Sequence, residues 1–157
     1  MDLVFNKSPY TPSKEFRGDL SKDRFDELFG HSSRFIARLL FKDETTPFEV
    51  MYKFVIDTGA FISYAPDLIL DFLKIKPKFT GFIRGAAPQE ECKIQVKIAK
   101  IPFKLIDDNN KESAELEGWF AFHSFDRGPY LLGMKDILEK VGIIKKFDKD
   151  QLILQIF

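Results

Sequence analysis

The feature that most constrains the fold is a hydrophobic run that ends in an acid and a tight turn. Residues 48–57 first alternate apolar and polar side chains, and the run then continues as Phe54-Val55-Ile56-Asp57-Thr58-Gly59. Alternation with a period of two is typical of a half-buried strand, and its loss toward Asp57 indicates a strand that enters the core. A carboxyl group at the end of a buried strand costs free energy unless it is hydrogen-bonded or paired. We therefore expect Asp57 to have a specific role.

The composition is that of an ordinary globular domain. The 157 residues are 45% hydrophobic and 31% charged, with 24 basic and 24 acidic side chains. This length is enough for one domain with a substantial core. The zero formal net charge argues against a nucleic-acid partner, because nucleic-acid-binding domains are usually basic. The 18 Phe residues predict either a Phe-packed core or an apolar contact surface, and the sequence does not separate the two.

The chain shows no pattern typical of secretion, membrane insertion or a structural metal site. Residues 1–7 lack the basic start and apolar centre of a signal peptide, and no apolar stretch approaches the roughly 20 residues that cross a bilayer. Cys92 is the single cysteine, so an intrachain disulfide and a Cys-rich zinc site are excluded. His31 and His123 have no paired ligand spacing. We expect a cytoplasmic protein with no cofactor, no metal and no membrane partner.

The rest of the chain predicts a mostly β protein with two or three short helices. Residues 1–20 are polar and predict a loosely structured segment. Capping and spacing patterns predict helices over residues 21–30, 66–74 and 136–141. Alternating or apolar runs bounded by turn residues predict strands over residues 34–42, 48–57, 79–84, 92–100, 103–106, 116–122, 130–132, 143–147 and 152–157.

These elements have no βαβ rhythm, so we expect a small closed or partly closed β-barrel. The last predicted strand, residues 152–157, is apolar to its end. An exposed apolar strand favours aggregation, so we expect it to be paired, with a dimer as one possible partner.

Two motifs must be considered together. The first is Asp57-Thr58-Gly59-Ala60 with Ser63, and the second is Leu131-Leu132-Gly133 followed by a predicted short helix. Together they resemble the retropepsin-like aspartic proteases, in the form of a prokaryotic or cellular single-domain member. The hairpin predicted over residues 79–100 lies where that family places a flap over its active site. The resemblance covers residues 33–157 and leaves residues 1–32 as an N-terminal extension with a short helix.

The resemblance implies an aspartic endopeptidase of the acid-protease fold type. In such a site two carboxyl groups about 3 Å apart share one proton, so that one activates water and the other protonates the substrate. Asp57, Thr58 and Gly59 are the implied catalytic residues. Because Asp-Thr-Gly occurs once, Asp57 of one copy would have to face Asp57 of a second copy, and a homodimer supplies that symmetry. The implied partners are a second copy and a peptide or protein substrate.

The same resemblance assigns the supporting residues. The residues implied to contact the substrate are Ala60, Phe61, Ile83, Arg84, Gly85 and Ala86. Ser63, Leu132 and Gly133 are implied to support the loop. Phe61 stands where viral members often have an acid that binds the substrate backbone, which predicts a more apolar subsite.

Two other interpretations use the same residues. Asp, Thr and Gly are ordinary turn residues, so the chain could be a catalytically inactive dimerisation or peptide-binding module. An apolar strand followed by Asp-x-Gly is also similar to the first phosphate loop of actin-like and sugar-kinase ATPases, but those proteins need two α/β lobes and are far longer. Outside the motifs, Asp136 is interpreted as a helix cap and Cys92 as a core residue.

Overall fold

The protein is described by a computed structural model over residues 1–10, 14–29, 32–42, 49–84, 93–124 and 130–157. The strands in these ranges are β1 (Asp2–Tyr10), β2 (Ser32–Lys42), β3 (Glu49–Ile56), β4 (Ser63–Pro66), β5 (Phe79–Arg84), β6 (Lys93–Ile106), β7 (Leu116–His123), β8 (Leu131–Leu132), β9 (Gly142–Lys146) and β10 (Gln151–Gln155). The α-helices are α1 (Lys14–Arg17), α2 (Lys22–Phe29) and α3 (Asp67–Leu73). The prediction of a mostly β chain with short helices is confirmed.

Most of the strands surround one core. They follow the order β5-β6-β7-β4-β8-β3-β2-β1-β10-β9, and β2 also pairs with β6 through Leu39 and Leu105. That extra pairing closes a ring of six strands, β6-β7-β4-β8-β3-β2. Strands β1, β10 and β9 extend the sheet beyond β2, and β5 extends it beyond β6. Neighbouring strands are antiparallel except for β3 with β8 and β4 with β7, which run parallel.

Phenylalanine rings fill the space inside the ring of strands. Phe120 lies edge-on to Phe54 and to Phe103, with ring centroids 6.1 and 5.6 Å apart. Phe41 contacts the same rings from β2. Each buried Phe side chain contributes about 1.5–3 kcal/mol relative to an exposed one. The Phe content serves both the core and the surface, because other Phe residues are exposed. The exposed residues are Phe61, Phe79, Phe82, Phe147 and Phe157.

The N-terminal segment differs from the sequence-based expectation. The prediction of a loosely structured start is wrong for residues 2–10, which form β1 between β10 and β2. Leu3 and Phe5 are fully buried. The strand depends on partners distant in sequence, because Phe5 pairs with Leu152 and the Val4 N–H donates to the Asp107 carboxylate at 3.0 Å.

Two further elements differ from the prediction. Residues 92–100 and 103–106 were expected as separate strands around Pro102, but β6 is continuous through it. On one side, β6 pairs with β5 up to Ile98 and with β2 from Lys104 onward. Pro102 lies between these two pairings. The helix predicted over residues 136–141 is reduced to one 3₁₀ turn at Leu138–Lys140.

The other helices follow the prediction more closely. Helix α2 begins after Ser21, whose hydroxyl oxygen accepts the Arg24 N–H at 3.1 Å as an N-cap. Helix α3 buries Ile69, Leu70 and Leu73, while Leu68, which was expected on the buried side, is 48% exposed.

The C-terminal strand is paired within its own chain. Strand β10 lies between β1 and β9, and its Leu154 is fully buried. The expectation that residues 152–157 are paired is therefore confirmed for the strand, and its partners belong to the same molecule. Across the described ranges, no helix has the length and apolar character needed to pass through a bilayer.

Candidate active site

The Asp57 loop is built by hydrogen bonds within its own residues and to β8. The Asp57 N–H donates to the Leu132 carbonyl oxygen at 3.0 Å, and Asp57 Oδ1 accepts the Gly59 N–H at 2.9 Å. The second bond forms an Asx turn, in which an Asp side chain takes the place of a backbone acceptor. Asp57 is partly exposed, and Thr58 and Gly59 are exposed. The acid is therefore held at the surface by a turn that its own carboxylate stabilises.

Strand β8 passes directly beneath this loop. Val55 and Ile56 of β3 pair in parallel with Leu131 and Leu132, and Tyr64 of β4 pairs with Leu131 from the other side. The strand that enters the loop and the strand that leaves it are therefore both hydrogen-bonded to β8. Leu132 is fully buried, so it forms the apolar floor of the site.

Gly133 fits against the loop so closely that a larger residue has no space there. Its N–H donates to the Ser63 hydroxyl oxygen at 2.8 Å, and Ser63 is fully buried. A Cβ atom at position 133 would lie 2.5 Å from the Ile62 carbonyl oxygen and 2.9 Å from the Ala60 carbonyl oxygen. Real Cβ contacts are essentially never this short, and both obstacles are backbone atoms. This position requires glycine.

The residues after Gly133 continue the contact. The Met134 N–H donates to the Ala60 carbonyl oxygen at 2.9 Å, and the Lys135 N–H donates to the Phe61 carbonyl oxygen at 2.8 Å. The structure thus brings together two sequence motifs that lie far apart in the chain. Four backbone N–H groups, at Asp57, Gly133, Met134 and Lys135, join the two segments.

The residues expected to contact substrate are distributed over the loop and β5. Phe61 is 74% exposed on the Asp57 loop. Ile62 and Ile83 both pack against a small apolar cluster of Val96, Ile98 and Ala121, so this cluster connects the loop to β5. Arg84 is the last residue of β5. The expected substrate residues Gly85 and Ala86, and Cys92 and His31, lie outside the described residues.

In the described part of the chain, no Lys, Arg or His side chain forms an ion pair with the Asp57 carboxylate. Behind the loop, Tyr130 stacks on Tyr52 with ring centroids 5.6 Å apart and contacts Phe54 edge-on at 5.4 Å. Burial raises the pKa of Tyr130, and the neighbouring Tyr52 raises it further. Burial also raises the pKa of Tyr64. Both phenols therefore stay neutral at ordinary pH.

No group of three or more His, Cys, Asp or Glu side chains in the described ranges is arranged to hold a metal ion. His123 lies on β7 and is 2% exposed, so it is a core residue.

The role of Asp136 differs from the one expected from the sequence. The helix-cap interpretation is wrong, because Asp136 has a φ of 60° and lies in a turn before the 3₁₀ segment. Its carboxylate instead contacts Lys140 Nζ at 2.7 Å and Lys100 Nζ at 3.5 Å. The spacing of Asp136 and Lys140 was a visible signal, since residues four apart can pair on one face. The contact with Lys100 depends on the fold.

Comparisons with known proteins add a structural likeness. No protein-family model matches the chain, and no curated protein matches it. A crystal structure of a retropepsin-like aspartic protease from Rickettsia conorii is similar at 18% sequence identity and a TM-score of 0.45, over 98% of this chain and 93% of that chain. This likeness is one of fold.

Proposed function

We propose that the chain is an aspartic endopeptidase of the retropepsin-like, closed-barrel type, in which Asp57 from two copies forms a catalytic pair across a homodimer. The observation that carries the proposal is the fit of Gly133 against the Asp57 loop. The 2.8 Å bond to Ser63 and the lack of space for a Cβ atom fix the loop from below. This support holds an acid at an exposed turn, with no cation paired to it in the described ranges.

The chemistry follows from placing two such carboxyl groups side by side. Like charges that close cannot both ionise, so the pair holds one proton, and its two pKa values belong to the pair. The ionised carboxylate takes a proton from water as the water oxygen attacks the peptide carbonyl carbon. The other carboxyl protonates the carbonyl oxygen. When the tetrahedral intermediate collapses, the C–N bond breaks and a proton passes to the leaving amine.

Each residue of the loop has a role in this proposal. Asp57 Oδ1 is engaged by the Gly59 N–H, which leaves Oδ2 to share a proton with the second copy. Thr58 and Gly59 shape the exposed turn, and Ser63, Leu132 and Gly133 support it from beneath.

The substrate would be an extended peptide lying between the loop and the β5–β6 hairpin. Peptides bound in this way hydrogen-bond through their backbone like an added strand, and pockets select alternate side chains. Phe61 is 74% exposed on the loop that carries the acid and offers an apolar contact to the substrate. The other residues assigned to the substrate are Ala60, Ile83, Arg84, Gly85 and Ala86. We place the enzyme in the cytoplasm, with no nucleic-acid, membrane, metal or cofactor partner.

The test compares peptide cleavage by wild-type protein with that of Asp57→Asn. This variant keeps the size of the side chain and an acceptor for the Gly59 N–H, but it cannot act as a base. We expect cleavage of a peptide library to fall by at least about a thousandfold. Asp71→Asn is the matched control, because Asp71 is an exposed acid on α3, and it should cleave at the wild-type rate.

Equal cleavage by wild-type protein and Asp57→Asn would contradict the proposal. If neither protein cleaves but both bind peptides, the inactive peptide-binding module is the correct account. A second arm uses a peptide in which a hydroxyl-bearing carbon replaces the scissile carbonyl. Such a mimic of the tetrahedral intermediate should bind much more tightly than substrate, with one molecule for every two chains.

A further inference from the structure

Asp136 lies in the turn that follows Gly133 and has an unusual backbone conformation. Its φ of 60° falls in the left-handed region, which residues other than Gly rarely adopt because of steric strain. Its side chain is only 15% exposed. A strained, mostly buried acid persists only where surrounding contacts hold it.

Two lysines hold the carboxylate from two directions. Lys140 Nζ lies 2.7 Å from Oδ1 and belongs to the same turn, whereas Lys100 Nζ lies 3.5 Å from Oδ2 and belongs to β6. Lys100 also contacts Glu117 of β7 at 3.5 Å. The hydrogen bond from Lys140 is the largest of several effects that lower the pKa of Asp136, so the carboxylate is ionised at neutral pH. The pair with Lys140 closes the turn on itself, and the pair with Lys100 attaches it to β6.

The backbone of the same turn is fixed by two more contacts. The Asp136 N–H donates to the Glu139 carboxylate at 2.7 Å, and Lys135 pairs with Glu139 at 3.3 Å. Ile137 is 3% exposed and packs directly on Gly118 of β7, where a Cβ atom would overlap it. The turn is therefore seated on β6 and β7.

This seated turn touches the Asp57 loop through the two residues just before Asp136. The Met134 and Lys135 N–H groups donate to the carbonyl oxygens of Ala60 and Phe61 at 2.9 and 2.8 Å. We propose that Asp136 is a positioning residue, whose ion pairs with Lys140 and Lys100 hold these two N–H groups against the catalytic loop. The inference deepens the proposed function, because the loop that Asp136 positions is the one that carries the catalytic acid.

The test uses two substitutions of Asp136 that differ in their effect on strain. Asp136→Asn removes the charge and keeps the shape. Asp136→Gly removes the charge and also relieves the left-handed strain, so its thermal midpoint should be at least as high as that of Asp136→Asn. Glu112→Gln is the matched control, because it removes the 3.4 Å ion pair with Lys104 in the turn that follows β6.

Two readouts, hydrogen exchange and peptide cleavage, separate positioning from general stability. In both Asp136 variants, hydrogen exchange at the Met134 and Lys135 amides should be about tenfold faster, while exchange in β1 and β10 stays at the wild-type rate. Peptide cleavage should lose about tenfold in kcat with KM changed by less than about twofold, since the defect lies in the placement of the acid. Glu112→Gln should match the wild type in every readout.

Unchanged exchange at Met134 and Lys135 in both Asp136 variants would overturn the inference, as would an equal change in Glu112→Gln. An unchanged kcat in both Asp136 variants of an active enzyme would overturn it as well. If the wild-type protein cleaves no peptide, the proposed function fails by itself, and the exchange measurement still decides whether Asp136 positions the loop.

Discussion

Replacing Gly133 by alanine measures how tightly the two motifs fit together. The added Cβ would lie 2.5 Å from the Ile62 carbonyl oxygen, 2.6 Å from the Ile62 carbonyl carbon and 2.9 Å from the Ala60 carbonyl oxygen. The loop must move by about half an ångström before the shortest contact reaches even 3.0 Å. Overpacking against a fixed environment costs about 1–3 kcal/mol, and weakening the bond to Ser63 adds about 1 kcal/mol. We expect Gly133→Ala to lose about 3 kcal/mol.

The assay is thermal and urea unfolding beside a second glycine substitution. At this chain length each kcal/mol corresponds to roughly 2–4 °C, so the midpoint should fall by about 6–12 °C. Gly81→Ala in β5 is the control, because the atoms nearest to its Cβ position are 3.9 Å away and the substitution should be close to neutral. A Gly133→Ala protein within about 0.5 kcal/mol of wild type would refute the close fit between the motifs.

A double-mutant cycle tests whether the bond to Ser63 shares in this effect. Ser63→Ala leaves the buried Gly133 N–H without its acceptor, which costs about 1–3 kcal/mol. Gly133→Ala already displaces that N–H, so the double variant should lose about 1 kcal/mol less than the two single losses combined. Strict additivity would show that the two residues act independently.

Three further predictions concern the wider structure. Asp107 is 1% exposed, and its carboxylate accepts the backbone N–H groups of Val4, Asn109 and Lys111. Asp107→Ala should therefore lower the free energy of unfolding, measured in urea, by about 3 kcal/mol. A loss below about 0.5 kcal/mol would contradict this. The hydrogen bond from Lys140 lowers the pKa of Asp136 in the folded state. The ionised Asp136 carboxylate therefore stabilises the folded protein above the unfolded-state pKa of 3.8, and this stabilisation is lost as the pH falls through the lower folded-state pKa. The difference in thermal midpoint between wild type and Asp136→Asn should therefore be larger near pH 7 than at acidic pH below that folded-state pKa, and a constant difference would argue against the ion pair. Phe61→Ala should leave stability within about 0.5 kcal/mol, since the side chain is 74% exposed, but should raise KM for peptides with large apolar residues; an unchanged KM would exclude the contact.

Local patterns were sufficient to predict much of the fold. The alternation before Asp57 predicted β3, and the Ser21 cap predicted α2, because period and capping depend on neighbours in sequence. Strand β1 was missed because most of its outer residues are polar and its partners, β10 and β2, are distant in the chain. Its signal was the pair Leu3 and Phe5, two alternate apolar residues that are both fully buried.

In the candidate site, too, the features set by local sequence could be predicted and those set by distant contacts could not. The two motifs could be identified from sequence, and the structure joins them by hydrogen bonds. The Asp57 N–H donates to the Leu132 carbonyl oxygen, and the Gly133 N–H donates to the Ser63 hydroxyl oxygen. The role of Asp136 could not be predicted, because it depends on a left-handed backbone and on Lys100 of a different strand. All of the substrate contacts remain predictions, those of Gly85 and Ala86 among them.

The proposed active site requires Asp57 from two copies of the chain, and subunit mixing tests this requirement directly. Wild-type and Asp57→Asn chains are unfolded together, refolded at varied ratios and assayed for peptide cleavage. If both acids are needed, a mixed dimer is inactive and activity follows the square of the wild-type fraction, so an equal mixture retains about one quarter of the wild-type activity. An equal mixture that retains about one half, as independent subunits would, contradicts the shared site.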